Sequence, residues 1–406
     1  MKLTNPKQKN QLLQKLDLSI HSPIPESGIQ RAVELMESGL LYRYDCTGPE
    51  SSEVALLERE FAEFVGSKYA LAVNSCGSAL YISMLCLGVK PGDEVLSSGF
   101  TYTACPSAIV NIGATPVLVD CTKDYVLDTE DLKRKITQKT KVLLLSHMRG
   151  HVSDMDEIVA ICEANSVILL EDCAHSLGTT FGGKHTGLFG KTGCFSSQSH
   201  KMINSGEGGI VVTDDEEIIA KAILYAGSQE TFWQKHFVDT PYLAKYQEVI
   251  PNISCRMSNL SAAILRAQIP KIKNWMQIYQ SKHEALKNIL LDSPYIHYPK
   301  VHNKVVRGPD TVQFNLVDFS LEELAEFTTQ LSKYGIKLKT FGNPGNPRFF
   351  KSWKYIPGIE KVSLPQIETI LPFACDLRLP LPMKLEEIYF LGEIILGAIS
   401  KIKTAN

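Results

Sequence analysis

The stretch KVLLLSHMRGHVSDMDEIVAICEANSVILLEDCAHSLG, residues 141–178, carries two near-continuous apolar runs, 141–147 and 167–172. Between them residues 154–165 space their apolar side chains at helical steps. Runs that are apolar at almost every position belong to strands covered on both faces, and a helix joining two such strands is a parallel crossover. The same alternation extends outward. KYALAVN (68–74), DEVLSS (93–98) and TPVLVD (115–120) read as strands, while SCGSALYISMLCLG (75–88) and TEDLKRKITQ (129–138) read as helices, the latter with a Thr-Glu-Asp start signal. Strands and helices in this order predict an α/β fold with a mostly parallel, doubly wound sheet. Ligands bind such sheets at the carboxyl ends of their strands.

The N-terminal fifty residues carry one helical pattern, SGIQRAVELMES (27–38), and the loop GLLYRYDCTGPESSE (39–53), whose Tyr42 and Tyr44 serve a site or pack. After a long helical stretch at 258–291 the texture changes to a smaller α+β pattern: TVQFNLVDF, SLEELAEFTTQLSKYG, IKLKTF and KLEEIYFLGEIILGAIS. The predicted organisation is an N-terminal helix and loop arm over 1–50, a large domain over 51–292 and a small C-terminal domain over 293–406. With 44% hydrophobic and 21% charged residues the composition is globular, and a net charge of −2 argues against nucleic-acid or membrane-surface partners. Ten scattered cysteines form no CxxC and no zinc-type cluster, so neither a metal nor a disulfide framework is expected, and a reducing, cytoplasmic setting is. No segment is long and apolar enough to span a bilayer.

Four features at or near strand ends carry chemistry. Asp172 closes VILLED, where a carboxylate can hold a protonated heteroaromatic nitrogen; a turn or capping aspartate is the alternative. Cys76, Gly77 and Ser78 open a helix, whose amides and dipole suit a phosphate, although small residues also cap helices. Tyr102, after the strand 93–98, offers a flat face to a ring, or a core side chain. Lys201 stands in FSSQSHKMINSGEGGIVVTD (195–214), an unusual setting for a surface lysine and a natural one for a lysine used as a reagent. Phosphate cradle, ring face, carboxylate and lysine together are the demands of pyridoxal 5′-phosphate.

These segments resemble the DegT/DnrJ/StrS aminotransferases, fold type I enzymes that use pyridoxal phosphate, mostly on nucleotide-linked keto sugars. SCGSAL, PGDEV, GATPVLVD, DMDEI, EDCAHSLG and FSSQSHKMINSGEGG carry the resemblance, in family order and spacing. It implies that Lys201 is the Schiff-base lysine, Asp172 the partner of the pyridine nitrogen, and Ser196 a phosphate contact. His175 would lie near the cofactor's 3-hydroxyl, and Tyr102 would stack on its ring. Where the family has Gly-Thr in the phosphate turn this chain reads Cys76-Gly77, leaving a hydroxyl contact to Ser75 or Ser78. The family's Asn-x-Arg, whose asparagine reaches a neighbouring subunit's phosphate, appears as NISCRMSNL (252–260): Arg256 fits, while Ser254 replaces the asparagine and Asn252 precedes it. The resemblance therefore implies a homodimer with shared active sites. It also implies an amino-acid donor, glutamate or glutamine, and a keto sugar or related small keto acceptor.

Two further departures concern that acceptor. SHMRGHVSDMD keeps His147 but puts Arg149 where the family has a tyrosine or a small residue, and TFGNPGNPRFFKSWKYI (340–356) replaces a histidine-containing segment. Arg149, with Arg348, is expected to grip an anionic group near the acceptor's ketone; a surface arginine, or a salt bridge to Asp154 or Asp156, is the alternative. Rival functions are a dehydratase or lyase on the same fold, against which Lys201 counts because sugar dehydratases carry histidine there, and a non-catalytic regulatory protein on a worn enzyme fold. A nicotinamide oxidoreductase is disfavoured because no GxGxxG follows the first strand.

Overall fold

The computed structural model describes residues 16–404. The first fifteen residues of the expected N-terminal arm and the last two of the chain lie outside them. Seven strands form the main sheet: β1 (Tyr69–Val73), β2 (Glu94–Ser98), β3 (Thr115–Val119), β4 (Thr140–Ser146), β5 (Ile168–Asp172), β8 (Thr192–Ser196) and β9 (Gly209–Thr213). Their order is β1-β9-β8-β5-β4-β2-β3. β9 runs antiparallel to both its neighbours, while the other six strands share one direction. Val142, Leu144 and Leu170 pack on one face with Leu80, Ile109 and Ile223, and Leu143, Leu145 and Leu169 pack on the other with Ile158 and Ile161. Burial on both faces is why these strands read as continuous apolar runs.

Aspartates start several covering helices. Asp154 accepts hydrogen bonds from the amides of Asp156 and Glu157 at the head of Met155–Ala164, and Asp215 does the same for Glu216–Ala226. The helix Thr129–Lys135 is capped by Asp128, one residue ahead of the expected start signal. The long helical stretch at 258–291 is two helices, Asn259–Arg266 and Ile272–Leu290, separated by a short 3-10 turn at Ile269–Lys271. Pro270 lies in that turn, and its missing N–H and fixed φ explain the break.

Two residue pairs, β6 (Thr180–Phe181) and β7 (Lys184–His185), form a hairpin beside the main sheet. A second, antiparallel sheet consists of β10 (Ile296–His297), β12 (Thr311–Leu316), β14 (Ala374–Arg378) and β13 (Lys339–Thr340), in that order. The helices Leu321–Ser332 and Leu385–Thr404 pack on it around Phe314, Phe327 and Leu391. Two segments after residue 292 meet the earlier part of the chain: β11 (Val305–Val306) pairs with β6, and Phe350, Trp353 and Ile356 pack on Phe100, Leu118 and Tyr125. Sequence texture places one boundary near residue 292; the chain crosses between the two cores more than once.

Candidate active site

Parallel strands aim their carboxyl ends at one edge of the sheet. β1 delivers the turn at Ser75, β2 the loop of Tyr102, β4 Ser146, β5 Asp172 and β8 Ser196. Side-chain alternation then sorts each strand end. In the β4–β5 ladder Ser146 lies beside Asp172, and Leu145 beside Glu171. Asp172 is buried. Its carboxylate accepts from the Ser146 hydroxyl at 2.8 Å, the Cys105 thiol at 3.1 Å and the Ala174 amide at 3.1 Å. Burial first, and the Asp172 charge second, push the Cys105 thiol well up, so it stays a neutral donor. The Cys76 thiol, raised for the same reasons, faces the other carboxylate oxygen at a long 3.9 Å.

Lys201 sits in the loop from β8 to β9, which closes on itself through Ser197 N–H to Gly208 O at 3.0 Å and Lys201 N–H to Gln198 O at 2.8 Å. Its Nζ lies 2.9 Å from His175 Nε2. Burial, and next the nearby Arg149 charge, pull the Lys201 amine down to about 8, with Asp172 acting in the opposite direction. His175 is pushed well below the usual histidine range, by burial first and then by the charges of Lys201, Arg149 and Arg348. A neutral imidazole therefore faces the amine. The glycines after Lys201 have a packing cause: a Cβ on Gly209 would lie 2.3 Å from the Ser75 carbonyl oxygen, so only glycine lets β9 approach the phosphate-type turn.

That turn heads the helix Cys76–Cys86, with Ser75 Oγ accepting from the Ser78 amide at 3.0 Å. The Ser78 hydroxyl is given to Asn74 Oδ1 at 2.7 Å. A Cβ on Gly77 would meet only Ser75 Oγ, at 3.7 Å, so space lies open over the turn. Ser196 accepts from the Gln198 amide at 3.3 Å. Tyr102 is 43% exposed, and the Arg348 guanidinium carbon lies 5.3 Å from its ring centroid. One chamber is lined by His175, Ser196, Lys201, Met202, Gly150 and Asp310. The donor set suits pyridoxal phosphate: a free amine, a carboxylate fixed by three donors, an open turn at a helix start and an exposed aromatic face.

Other expected site residues lie elsewhere. His147 is fully buried, with Nε2 2.9 Å from Glu171 Oε2, on the opposite face from Ser146. Glu171 also accepts from the amides of Gly187, Phe189 and Gly190, so the pair braces a turn. Tyr44 is buried too, its hydroxyl bonded to Ser228 Oγ at 2.9 Å and His236 Nε2 at 3.0 Å, with its ring stacked on Phe232. Arg256 donates to the Gly227 carbonyl at 2.9 Å and covers the Tyr42 ring. Asn252 and Ser254 form an exposed turn, closed by Ser254 N–H to Asn252 Oδ1 at 2.6 Å. Arg149 is buried and pairs with Asp376 on β14 at 2.5 Å; Asp154 caps a helix, and Asp156 pairs with Lys304. Ser146, Cys105 and Asp310 were absent from the expected site. Ser146 was legible as a strand-end residue in phase with Asp172. Asp310 had no local signal, because a distant segment brings it in.

A mostly parallel sheet with one reversed strand, and a lysine on the loop leading into that strand, define a fold type I pyridoxal-phosphate enzyme. The chain belongs to the DegT/DnrJ/EryC1/StrS aminotransferase family, whose model matches residues 25–354. It is thus a pyridoxal-phosphate-dependent aminotransferase. It is 31% identical to the spore coat polysaccharide biosynthesis protein SpsC of Bacillus subtilis, over 68% of this chain and 70% of that one. It is 34% identical to the GDP-perosamine synthase of Caulobacter vibrioides, over 53% of this chain and 56% of that one. Among solved structures, 3-amino-5-hydroxybenzoic acid synthase superposes with a TM-score of 0.82 at 25% identity, covering 95% of this chain and 99% of that one.

Proposed function

We propose that the chamber at Lys201 moves an amino group from glutamate or glutamine to a keto sugar. The observation that carries this reading is an amine lowered to about 8 on the same sheet edge as a three-fold hydrogen-bonded carboxylate. Pyridoxal phosphate supplies an electrophilic aldehyde and an electron-accepting ring. In this reading Asp172 holds the ring nitrogen protonated, and Ser146 and Cys105 keep its charge in place. The Cys76–Ser78 turn and the Ser196 hydroxyl hold the phosphate. The Tyr102 face limits the ring's position. Lys201 Nζ takes the proton from the donor's α-carbon, a task for which an amine near the working pH is suited. His175 Nε2 orients it. SpsC and the perosamine synthases, whose names refer to polysaccharide and to a nucleotide-linked amino sugar, support a sugar acceptor.

A homodimer completes the reading. Ile29, Val33, Met36 and Leu40 lie at helical spacing on and just beyond the helix Glu26–Ser38, all exposed, with exposed Tyr42 following. A stripe of this kind is an interaction surface. In this reading the exposed Asn252–Ser254 turn is the part that contacts the second copy's cofactor phosphate. Ten free cysteines fit a reducing, cytoplasmic setting. No helix of the described residues is long and apolar enough to cross a membrane. The test is the first half-reaction: glutamate or glutamine, without acceptor, should convert the cofactor's absorbance from its aldehyde to its amine form. A spectrum that no amino acid changes would contradict the reading.

A further inference from the structure

Arg149 and Arg348 come from different segments, both act electrostatically on His175 at the chamber wall, and each carries a buried Nε with no partner. Arg149 is 7% exposed and holds a left-handed backbone, φ 57° and ψ 22°, within the turn Met148–Gly150. A non-glycine residue is kept there only when the surroundings impose it, and such strain gathers at ligand sites. One of its nitrogens pairs with Asp376 Oδ2, while Asp376 Oδ1 accepts from Gln313 Nε2 at 2.8 Å. Its Nε is buried with no partner. Arg348 is fixed by its own loop: its amide bonds to Asn346 Oδ1 at 3.0 Å, and Phe349 bridges to Phe100. Its guanidinium has no hydrogen-bond or ion-pair partner among the described residues, its Nε is buried and unpaired, and it lies over Tyr102.

The balance of charge points the same way. Burial first, and the charge of Arg149 second, pull Arg348 below the usual arginine range, and the same charge acts on Lys201, His175 and Lys339. Asp376 is already shared between Arg149 and Gln313, and Asp172 is occupied by its three donors. Asp310 is pushed up by burial, while the charges of Arg149, Lys201 and Arg378 act the other way, so it is already shared among three cations. A guanidinium stays charged in any protein, so closing this chamber over a neutral substrate would leave a desolvated cation unpaired.

We propose that Arg149 and Arg348 form an oxyanion subsite, and that the acceptor is a keto sugar bearing a carboxylate or phosphate on the part that enters the chamber. This rests on the amino-transfer reading, because one chamber then serves both half-reactions. The donor's carboxylate and the acceptor's anion occupy the subsite in turn.

Titration calorimetry of the pyridoxal-phosphate-loaded enzyme tests this with glucuronate, glucose 6-phosphate and glucose. The loaded enzyme is used so that the cofactor's own phosphate site is filled. At least one anionic sugar should bind ten-fold or more tighter than glucose, and R348Q should abolish that preference. Which of the two wins identifies carboxylate or phosphate. R348Q removes no ion-pair partner, whereas R149Q would strand Asp376, so the former is the deciding variant. No preference over glucose, or a preference that survives R348Q, overturns the proposal. So does R348-dependent binding of glutamate without any preference among the sugars, which would give the subsite to the donor alone. An enzyme that shows the sugar preference but converts no amino acid leaves the subsite standing and removes the amino-transfer reading instead.

Discussion

Replacing Lys201 with methionine should stabilise the cofactor-free fold while abolishing turnover. The amine is drawn from 10.5 to about 8 by burial and by Arg149. At about 1.4 kcal/mol per pH unit of displacement, the penalty on its charged form is at most about 3–4 kcal/mol. The side chain is partly open to solvent, which screens the effect, so roughly 1–2 kcal/mol is the working expectation. The pH dependence has a definite sign. Below about 8 both folded and unfolded chains carry the proton, and the folded state bears the whole penalty. Between about 8 and 10.5 the folded chain releases its proton while the unfolded chain keeps it, so the penalty fades as pH rises. Urea unfolding of cofactor-free wild type and K201M at pH 7 and pH 10 measures both parts. The variant should be more stable at pH 7, with most of that advantage gone at pH 10. A variant no more stable than wild type at pH 7, or an advantage unchanged at pH 10, would refute the argument that Lys201 is held against its charge.

Asp172→Asn should still bind the cofactor but turn over more slowly, since a charge-assisted hydrogen bond is worth about 1.5–3 kcal/mol, roughly one to two decades in rate; wild-type turnover would remove its role. Gly209→Ala puts a Cβ 2.3 Å from the Ser75 carbonyl oxygen. The displaced turn should lower stability by about 1–3 kcal/mol and weaken cofactor binding, both readable by unfolding in the presence and absence of the cofactor. Sedimentation should show a dimer at assay concentrations, and a fully active monomer would contradict the shared site.

Much of this site was legible because strand ends follow from local texture. Apolar runs marked β4 and β5, and their last residues had to lie at the ligand edge. What the runs conceal is parity. Successive side chains of a strand face opposite ways, so Ser146 and Asp172 share the site while His147 and Glu171 pair behind it. Counting from Asp172 would have removed His147 from the candidates. Arg149 illustrates a different limit: its partner Asp376 lies 227 residues away, and nothing near position 149 announces it. Tyr44 is equally non-local, since Ser228 and His236 decide its place. Pro270, by contrast, was a visible break in an otherwise continuous helical pattern.

The central claim is that Lys201 bonds the cofactor, and borohydride reduction of the loaded enzyme tests it most directly. Reduction fixes a Schiff base as a stable amine, and peptide mass spectrometry then locates it. The account predicts one modified peptide, carrying the reduced cofactor on Lys201; finding it on any other lysine, or on none, would contradict it.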